Sequence, residues 1–168
     1  MTDLEHRIRR LEDRAAINDL VVAYFLAADG DDLAGVGASF TEDATFSSSG
    51  TVSASGRQGI VEFIRGARQQ MGLTIHTPHY AQLTFDGDDA AAGLVGAHLE
   101  LVLGGTTVYG AVRYVDRYAR TDGQWLISSR DMRTIHIAPW SDVGAALASE
   151  TPVRWPGGAG GPSDYPRR

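Results

Sequence analysis

The apolar positions of the first thirty residues have the spacing of one long helix. Apolar side chains recur there at helical intervals: Leu4, Ile8, Leu11, Ala15, Val22 and Phe25. Thr2 and Glu5 have the spacing of a capping box, which predicts where the helix begins. Gly30 and the two aspartates after it predict where the helix ends.

Two shorter helices and a strand are predicted in the next forty or so residues. A short helix over residues 33–36 is expected after the acidic pair, and a short strand over residues 44–48. A Ser/Gly-rich stretch, residues 47–56, separates this strand from a third helix. The apolar face of that helix carries residues 60–67, and the helix is expected to end near Gly72.

The period of the pattern changes to two at His79. Four strands joined by tight turns are predicted over residues 79–85, 91–103, 107–120 and 125–136. Helices followed by an antiparallel meander are typical of an α+β fold and not of a doubly wound sheet. We therefore expect three N-terminal helices packed in a strongly curved antiparallel sheet. Such a sheet forms a cone whose apolar mouth can hold a small molecule.

The main domain is expected to cover residues 1–140. Residues 141–168 are expected to form a C-terminal extension, which is rich in Pro and Gly from Trp155 onward. A segment of this composition does not build a domain of its own.

Composition and charge narrow the classes of function. The 168 residues carry a formal net charge of −6, which argues against binding nucleic acid or an anionic membrane and favours a neutral or cationic ligand. The absence of cysteine excludes disulfides, thiolate nucleophiles, iron–sulfur clusters and Cys-based zinc sites. The sequence has no apolar run of membrane-spanning length and no signal-peptide pattern at its start, so it predicts a cytoplasmic protein.

Asp29 is the most informative polar residue of the first helix. It lies four residues after Phe25, about 40° further round the helix, so its carboxylate is expected to face the core or its mouth. A carboxylate in such a place needs a hydrogen-bond partner. The alternative is that Asp29 only begins the polar turn that continues with Asp31 and Asp32.

Two histidines flank Pro78 where the meander is expected to begin, and either His76 or His79 could meet Asp29. A ring that donates one N–H to a carboxylate keeps its other nitrogen free to take a proton from a substrate. One alternative is a pair of surface histidines. Another is an iron or zinc site made by both rings and Asp29, although this spacing fits no strong metal-binding motif.

Several segments, taken in order, resemble the SnoaL-like branch of the NTF2-like superfamily. The segments are residues 14–20 (RAAINDL), Asp29, residues 40–46 (FTEDATF), residues 74–76, residues 85–88, residues 114–120, residues 122–125 and residues 129–130. The resemblance spans about residues 5 to 135 and implies the cone fold. In function the resemblance is to the dehydrochlorinases and dehydratases of this family, which use a His–Asp pair inside the cone.

This resemblance implies four site residues. His76 and Asp29 fall at the positions of the His–Asp pair, and Tyr24 and Arg130 fall at the positions of polar or cationic side chains that assist it. The implied chemistry needs no cofactor and no metal. Alternatively, Tyr24 only fills the core and Arg130 only pairs with a neighbouring carboxylate.

Seven further residues are candidates for the wall of the substrate pocket: Phe25, Phe46, His79, His98, Met132, His136 and Trp140. His136 is included because it has the same strand parity as Arg130 and Met132. His98 has the parity of Glu100, opposite the apolar face of its strand, which also allows a subunit contact.

Two functions of different classes remain open. The first is a cofactor-independent lyase (a dehydratase or dehydrohalogenase) or isomerase, in which His76 removes a C–H proton from a small apolar cyclic substrate. The second is a non-catalytic module that binds a hydrophobic ligand or assembles like the small subunit of a ring-hydroxylating dioxygenase. A cone filled by Tyr24, Phe25 and Phe46 would favour the second function.

Self-association as a homotrimer or homodimer is also expected. The resemblance implies it, and the meander is expected to carry Val108, Val112 and Tyr114 on its outer face.

Overall fold

The computed structural model describes residues 2–165, and its helices precede most of its sheet. The helices are α1 (Asp3–Asp29), α2 (Leu33–Ala38), α3 (Arg57–Arg68) and the short α4 (Val143–Leu147), which follows a 3₁₀ turn over Trp140–Asp142. The strands are β1 (Phe40–Ser48), β2 (Thr51–Ser55), β3 (Met71–Asp86), β4 (Ala90–Leu103), β5 (Thr106–Thr121) and β6 (Gln124–Pro139). Within residues 2–165, none of the helices is both long and apolar enough to cross a membrane.

All six strands form one curved sheet in the order β2-β1-β6-β5-β4-β3. Strands β3 to β6 form the predicted antiparallel meander, whereas β1 pairs with β6 in parallel. Helix α1 packs against this sheet and contacts both β3 and β6. The expected α+β cone is confirmed.

Helix α1 begins and ends as predicted but buries a different stripe. Thr2 and Glu5 form the capping box, and Gly30 caps the C-terminus. The buried positions are Asp13, Ile17, Val21, Tyr24, Phe25, Ala27 and Ala28. Only Phe25 of the predicted stripe is among them, because residues 2–12 contain no buried position and the core-facing side runs through Val21 instead of Val22.

Two strand segments are not marked by the sequence pattern. Strand β2 lies in the Ser/Gly-rich stretch and has no buried residue. Strand β3 begins at Met71, well before His79, and among residues 71–78 only Thr74 is buried. Without an alternation of apolar and polar residues, neither segment gives the signal of a strand.

Strand β6 carries two β-bulges that change which residues face the core. Its register with β5 shifts at two points, between Ile127 and Ser129 and again between Thr134 and His136. Each shift moves the following residues to the opposite face of the sheet. His136 therefore lies on the outer face, although its sequence parity matches that of the inward-facing Met132.

Val108, Val112 and Tyr114 face the core and are 0%, 0% and 2% exposed. The expectation that they form the outer face of the meander is wrong. An alternation of apolar residues shows that they share one face of a strand, and here that face is the buried one. Self-association stays a prediction without this support.

The residues after β6 pack back onto the sheet. Val153 forms isolated bridges with Ile137 and with Gly161, and Asp164 forms an ion pair with Arg113 of β5. Trp155 packs against the hydrophobic core. The C-terminal extension therefore contributes side chains to the same body as the sheet.

Asp13 joins α1 to β5 and β6 through polar contacts in a buried place. Its carboxylate accepts a hydrogen bond from Trp125 Nε1 at 3.0 Å and another from the Arg120 guanidinium. Burial by itself would raise the pKa of Asp13, but these bonds and the charges of Arg120 and Arg10 outweigh burial and lower the pKa. The carboxylate therefore stabilises the fold in its ionised form.

Replacing Asp13 by Ala should lower the free energy of unfolding by about 2 kcal/mol or more, because the Trp125 N–H loses its buried acceptor. Urea denaturation at pH 7 measures this loss. The control is Asp19→Ala, an exposed carboxylate on the same helix, which should change stability by less than about 0.5 kcal/mol.

The pH dependence of the Asp13→Ala loss has a definite sign. A lowered pKa in the folded state adds stability at pH values above the unfolded pKa, and this stability is lost as pH falls through the folded pKa. The gap between wild type and Asp13→Ala should therefore shrink in acid. A gap that grows in acid would contradict this role.

Candidate active site

Asp29 and His76 meet where α1 ends. Gly30 closes the helix by donating its N–H to Leu26 O at 2.9 Å, which leaves the Asp29 side chain at the last position of α1. The Asp29 carboxylate contacts His76 of β3 twice. Oδ1 lies 2.6 Å from Nδ1, and Oδ2 accepts a hydrogen bond from the backbone N–H at 2.7 Å. The structure thus brings together the two residues that the sequence analysis paired.

These contacts define the state of the His76 imidazole. A carboxylate oxygen can only accept, so Nδ1 carries the hydrogen and Nε2 of the neutral ring keeps a free lone pair. The ring stacks on Phe25, with centroids 4.8 Å apart and an angle of 10° between the planes. The side chains of His76 and Asp29 are only 12% and 20% exposed, so the pair is largely shielded from water.

A cavity of about 160 Å³ lies beside His76. Its wall is mainly apolar and includes side chains of α1, α3, β1 and the meander: Tyr24, Phe46, Phe63, Ile64, Leu99, Leu101, Tyr114 and Met132. An apolar cavity of about 150 Å³ is known to take up benzene. The cavity therefore suits a ligand of about one six-membered ring.

Tyr24 and Tyr114 are buried tyrosines of the cavity wall. Burial raises the pKa of both phenols above the ordinary value. Both residues therefore keep their protons at neutral pH and can donate a hydrogen bond to a ligand.

Arg130 lies behind the cavity wall and is completely buried. Its guanidinium donates to both carboxylate oxygens of Asp116, from Nε at 2.9 Å and from Nη2 at 2.6 Å. The guanidinium carbon lies 4.3 Å from the centre of the Tyr24 ring and 4.7 Å from that of Tyr114. Arg130 is not among the described residues that line the cavity, and its cation lies against the rings of two tyrosines that do.

Three of the seven candidate pocket residues lie at or next to the cavity. Phe46 and Met132 line it, and Phe25 lies directly behind the His76 ring. The ring of Tyr24 packs edge-on against Phe25 and Phe40, with centroid separations of 5.7 and 5.6 Å.

The other four candidates, His79, His98, His136 and Trp140, form a cluster around Tyr109 on the outer face of the sheet. His79 Nε2 lies 2.8 Å from His98 Nδ1, and the Tyr109 ring contacts the rings of His98, His136 and Trp140. Their assignment to the wall of the cavity is therefore corrected. The bulge before His136 and the outward parity of His98 are the physical reasons.

Burial lowers the pKa of both His98 and His136. The neighbouring ring of His79 lowers the pKa of His98 further, and His98 does the same to His136. His98 and His136 therefore favour their neutral forms.

The metal site considered from sequence does not form. His79 belongs to the outer cluster, while His76 and Asp29 contact each other beside the cavity. Over residues 2–165, no group of three or more His, Asp or Glu side chains has an arrangement suited to a metal ion.

Arg68 and Trp155 are among the residues of the cavity wall that sequence reasoning did not find. Arg68 is the last residue of α3, where a basic side chain is common for reasons of helix electrostatics and gives no sign of a site. Trp155 lies in the C-terminal extension. A large aromatic residue in a polar, Gly-rich tail is the signal that could have identified it.

Comparison with known proteins shows where this architecture occurs. Residues 9–131 match the family model described as a SnoaL-like domain. Among solved structures, LinA is 26% identical with a TM-score of 0.74, over 80% of this chain and 94% of LinA. A protein from Novosphingobium aromaticivorans, provisionally named an aromatic ring hydroxylase, is 30% identical with a TM-score of 0.71, over 79% of this chain and 96% of its own.

A third neighbour is the hexachlorocyclohexane dehydrochlorinase LinA-type3 from Novosphingobium barchaimii LL02. It is 23% identical with a TM-score of 0.75, over 80% of this chain and 94% of that protein. At this identity the likeness shows the fold alone. None of the curated proteins is significantly similar in sequence.

Replacing Arg130 by Met should destabilise the fold strongly, because the Asp116 carboxylate would stay buried without its cation. We expect the free energy of unfolding to fall by about 3–5 kcal/mol in urea denaturation. The control is Arg133→Met on the same strand, where the side chain is 37% exposed and pairs with Asp131. That variant should lose less than about 1 kcal/mol, and equal losses in the two variants would contradict the account of Arg130.

Proposed function

The chain belongs to the SnoaL-like family, and we propose that it is a cofactor-independent lyase or isomerase that acts on a single-ring apolar substrate. The observation that carries this proposal is the double contact of Asp29 with His76 beside an apolar cavity. This arrangement provides a base in a place from which water is largely excluded. Packing alone would not require Asp29 and His76 here, because two apolar side chains would fill the same space without the cost of burying polar groups.

In the proposed reaction His76 is the general base. Nε2 takes a proton from a C–H group of the substrate, and the electron pair of that bond forms a C=C double bond. In an elimination, a halide or hydroxide leaves from the adjacent carbon with the electron pair of its bond to that carbon. A departing hydroxide takes the proton that His76 accepted and leaves as water, whereas after loss of a halide His76 releases that proton to solvent. In an isomerisation, the proton returns to a different carbon of the same substrate.

Asp29 orients the ring and stabilises the imidazolium that forms when His76 accepts the proton. Tyr24 remains protonated and donates a hydrogen bond to the oxygen or halogen on which negative charge develops. Arg130 contacts no substrate in this proposal. It is a positioning residue, because its cation lies against the ring faces of Tyr24 and Tyr114.

The size of the cavity and the names of the neighbours support elimination from a six-membered ring. Two LinA structures carry the name hexachlorocyclohexane dehydrochlorinase, which describes the loss of hydrogen chloride from such a ring. The cavity of this chain has room for one ring of that size. We therefore include halogenated cyclohexanes among the candidate substrates.

The second function, a non-catalytic binding or assembly module, is favoured by a cone that side chains fill. Tyr24 and Phe46 form part of a wall around open space, and Phe25 lies behind His76. This leaves catalysis as the better-supported proposal. A cytoplasmic location and a homotrimer or homodimer stay predictions that accompany it.

Substitution of the two paired residues tests the mechanism. Turnover is first sought with halogenated cyclohexanes, cyclic alcohols and β,γ-unsaturated cyclic ketones. For any compound that is converted, His76→Ala should lower kcat by about 10² to 10⁴ and leave binding nearly unchanged, because the variant removes only the base.

Asp29→Asn should also be harmful, for a reason specific to the geometry. The amide has a single acceptor oxygen. If that oxygen keeps the His76 backbone N–H, the NH₂ group faces Nδ1 and forces the hydrogen onto Nε2. The base is then blocked, so the double variant should be no slower than His76→Ala alone.

The matched control is His79→Ala, which removes a nearby imidazole that lies in the outer cluster. This variant should keep wild-type turnover. If His76→Ala retained wild-type turnover, or if the losses of the two single variants multiplied in the double variant, the paired mechanism would be rejected in favour of ligand binding.

A further inference from the structure

Arg68 is a cationic residue of the cavity wall, to which the proposed base His76 also belongs. Arg68 is the last residue of α3, and its side chain is only 14% exposed. It lines the cavity together with Thr74 and His76 of β3. No role was predicted for it, and the proton transfer proposed above does not use it.

The guanidinium of Arg68 is held from three directions. Nε donates to Asp31, Nη1 donates to the Thr74 hydroxyl, and Nη2 donates to the Gly72 carbonyl at 3.4 Å. An arginine has five N–H groups. Within residues 2–165 these contacts use three of them, which leaves one N–H on each terminal nitrogen for a ligand.

A cation lies at the cavity wall although the chain as a whole is acidic. The Asp29 carboxylate is near the same wall, but its two oxygens are held by His76. None of the described residues that line the cavity is an Asp or a Glu, and Arg68 is the permanently charged group among them. Its partner Asp31 stands outside the cavity with a side chain that is 66% exposed. Water screens that carboxylate well, whereas an anion inside an apolar cavity would be screened poorly.

We propose that Arg68 binds a carboxylate group of the substrate, so that the substrate is a single ring carrying an anionic substituent. This inference rests on the proposed function, because it assumes that the reacting carbon lies at His76. It differs from the expectation of a neutral or cationic ligand, which followed from net charge alone. Two parallel N–H groups of an arginine match the two oxygens of a carboxylate.

The spacing of the two groups fits such a substrate. Thr74 and His76 lie on the same face of β3, opposite Leu101 and Leu99 of β4. Two residues along a strand span about 7 Å. With its carboxylate at Arg68 beside Thr74, a six-membered ring can therefore place a ring carbon near His76.

Binding of two probes of equal shape tests this proposal without any need for turnover. The probes are cyclohexanecarboxylate and cyclohexanecarboxamide, measured by calorimetry with the whole chain at pH 8, where the acid is ionised. Wild type should bind the carboxylate at least about tenfold more tightly than the amide, because hydrogen bonds to a charged group are the stronger kind. Equal affinity for the two probes in wild type would overturn the proposal.

Three variants assign the preference to Arg68. Arg68→Gln should bind both probes within about twofold of each other. Arg65→Gln is the matched control on the same helix, where the side chain is 51% exposed and pairs with Glu62, and it should keep the wild-type preference. Asp31→Asn removes the competing carboxylate at an exposed position and should increase the preference severalfold. A preference that survives in Arg68→Gln, or that falls in Asp31→Asn, would contradict the assignment.

The outcomes separate this inference from the proposed function. His76→Ala should keep the preference for the carboxylate, because the base does not hold the anion. If the preference depends on Arg68 while turnover is independent of His76, then only the proposed mechanism fails. If turnover depends on His76 while wild type binds both probes equally, then only the role of Arg68 fails.

Discussion

The carboxylate of Asp29 holds both the backbone and the side chain of His76 at the edge of the sheet, and the candidate site depends on both contacts. Within the described residues, strand β3 is an edge strand of the sheet and pairs only with β4. Its free edge presents backbone groups that need partners. Asp29 Oδ2 supplies an acceptor for the His76 N–H, and Oδ1 holds the ring of the same residue. Backbone position and ring orientation are therefore set by one side chain.

Two pairs of polar side chains lie inside the cone, one deeper than the other. The deepest pair is Arg130 with Asp116, which also accepts a hydrogen bond from Tyr118 at 2.7 Å. This pair is fully buried, its cation lies against the rings of the two cavity tyrosines, and neither member is among the described residues that line the cavity. The pair of Asp29 and His76 lies at the wall, where one imidazole nitrogen remains available. The buried ion pair thus stabilises the fold, and the pair at the wall is the one that we propose for chemistry.

The sequence predicted the parts of the molecule whose patterns are local. The capping box, the end of α1, the inward position of Asp29 and the hairpin turns each depend on a few neighbouring residues, and the structure contains all of them. The family resemblance favoured His76 as the partner of Asp29, whereas composition and spacing did not distinguish His76 from His79. The contact between two residues so far apart in the chain depends on tertiary structure.

The wrong or missing predictions concern features that the periodicity of apolar residues along the chain does not reveal. A bulge adds one residue to a strand and reverses its faces, so His136 moved from the cavity to the outer cluster. Strand β2 and the start of β3 lack an apolar alternation, and Trp155 reaches the cavity from a segment far along the chain. Net charge likewise does not record which sign of charge lies at a cavity wall.

The central claim is that Asp29 leaves Nε2 of His76 free to act as a base, and the position of the ring hydrogen tests it directly. Nitrogen-15 NMR of the ring, recorded at pH 8.5 on labelled protein, distinguishes protonated from unprotonated imidazole nitrogens without any substrate. The account predicts a hydrogen on Nδ1 and a bare Nε2 for His76 in the wild type, with the reverse in Asp29→Asn. A hydrogen on Nε2 of His76 in the wild type would contradict the account.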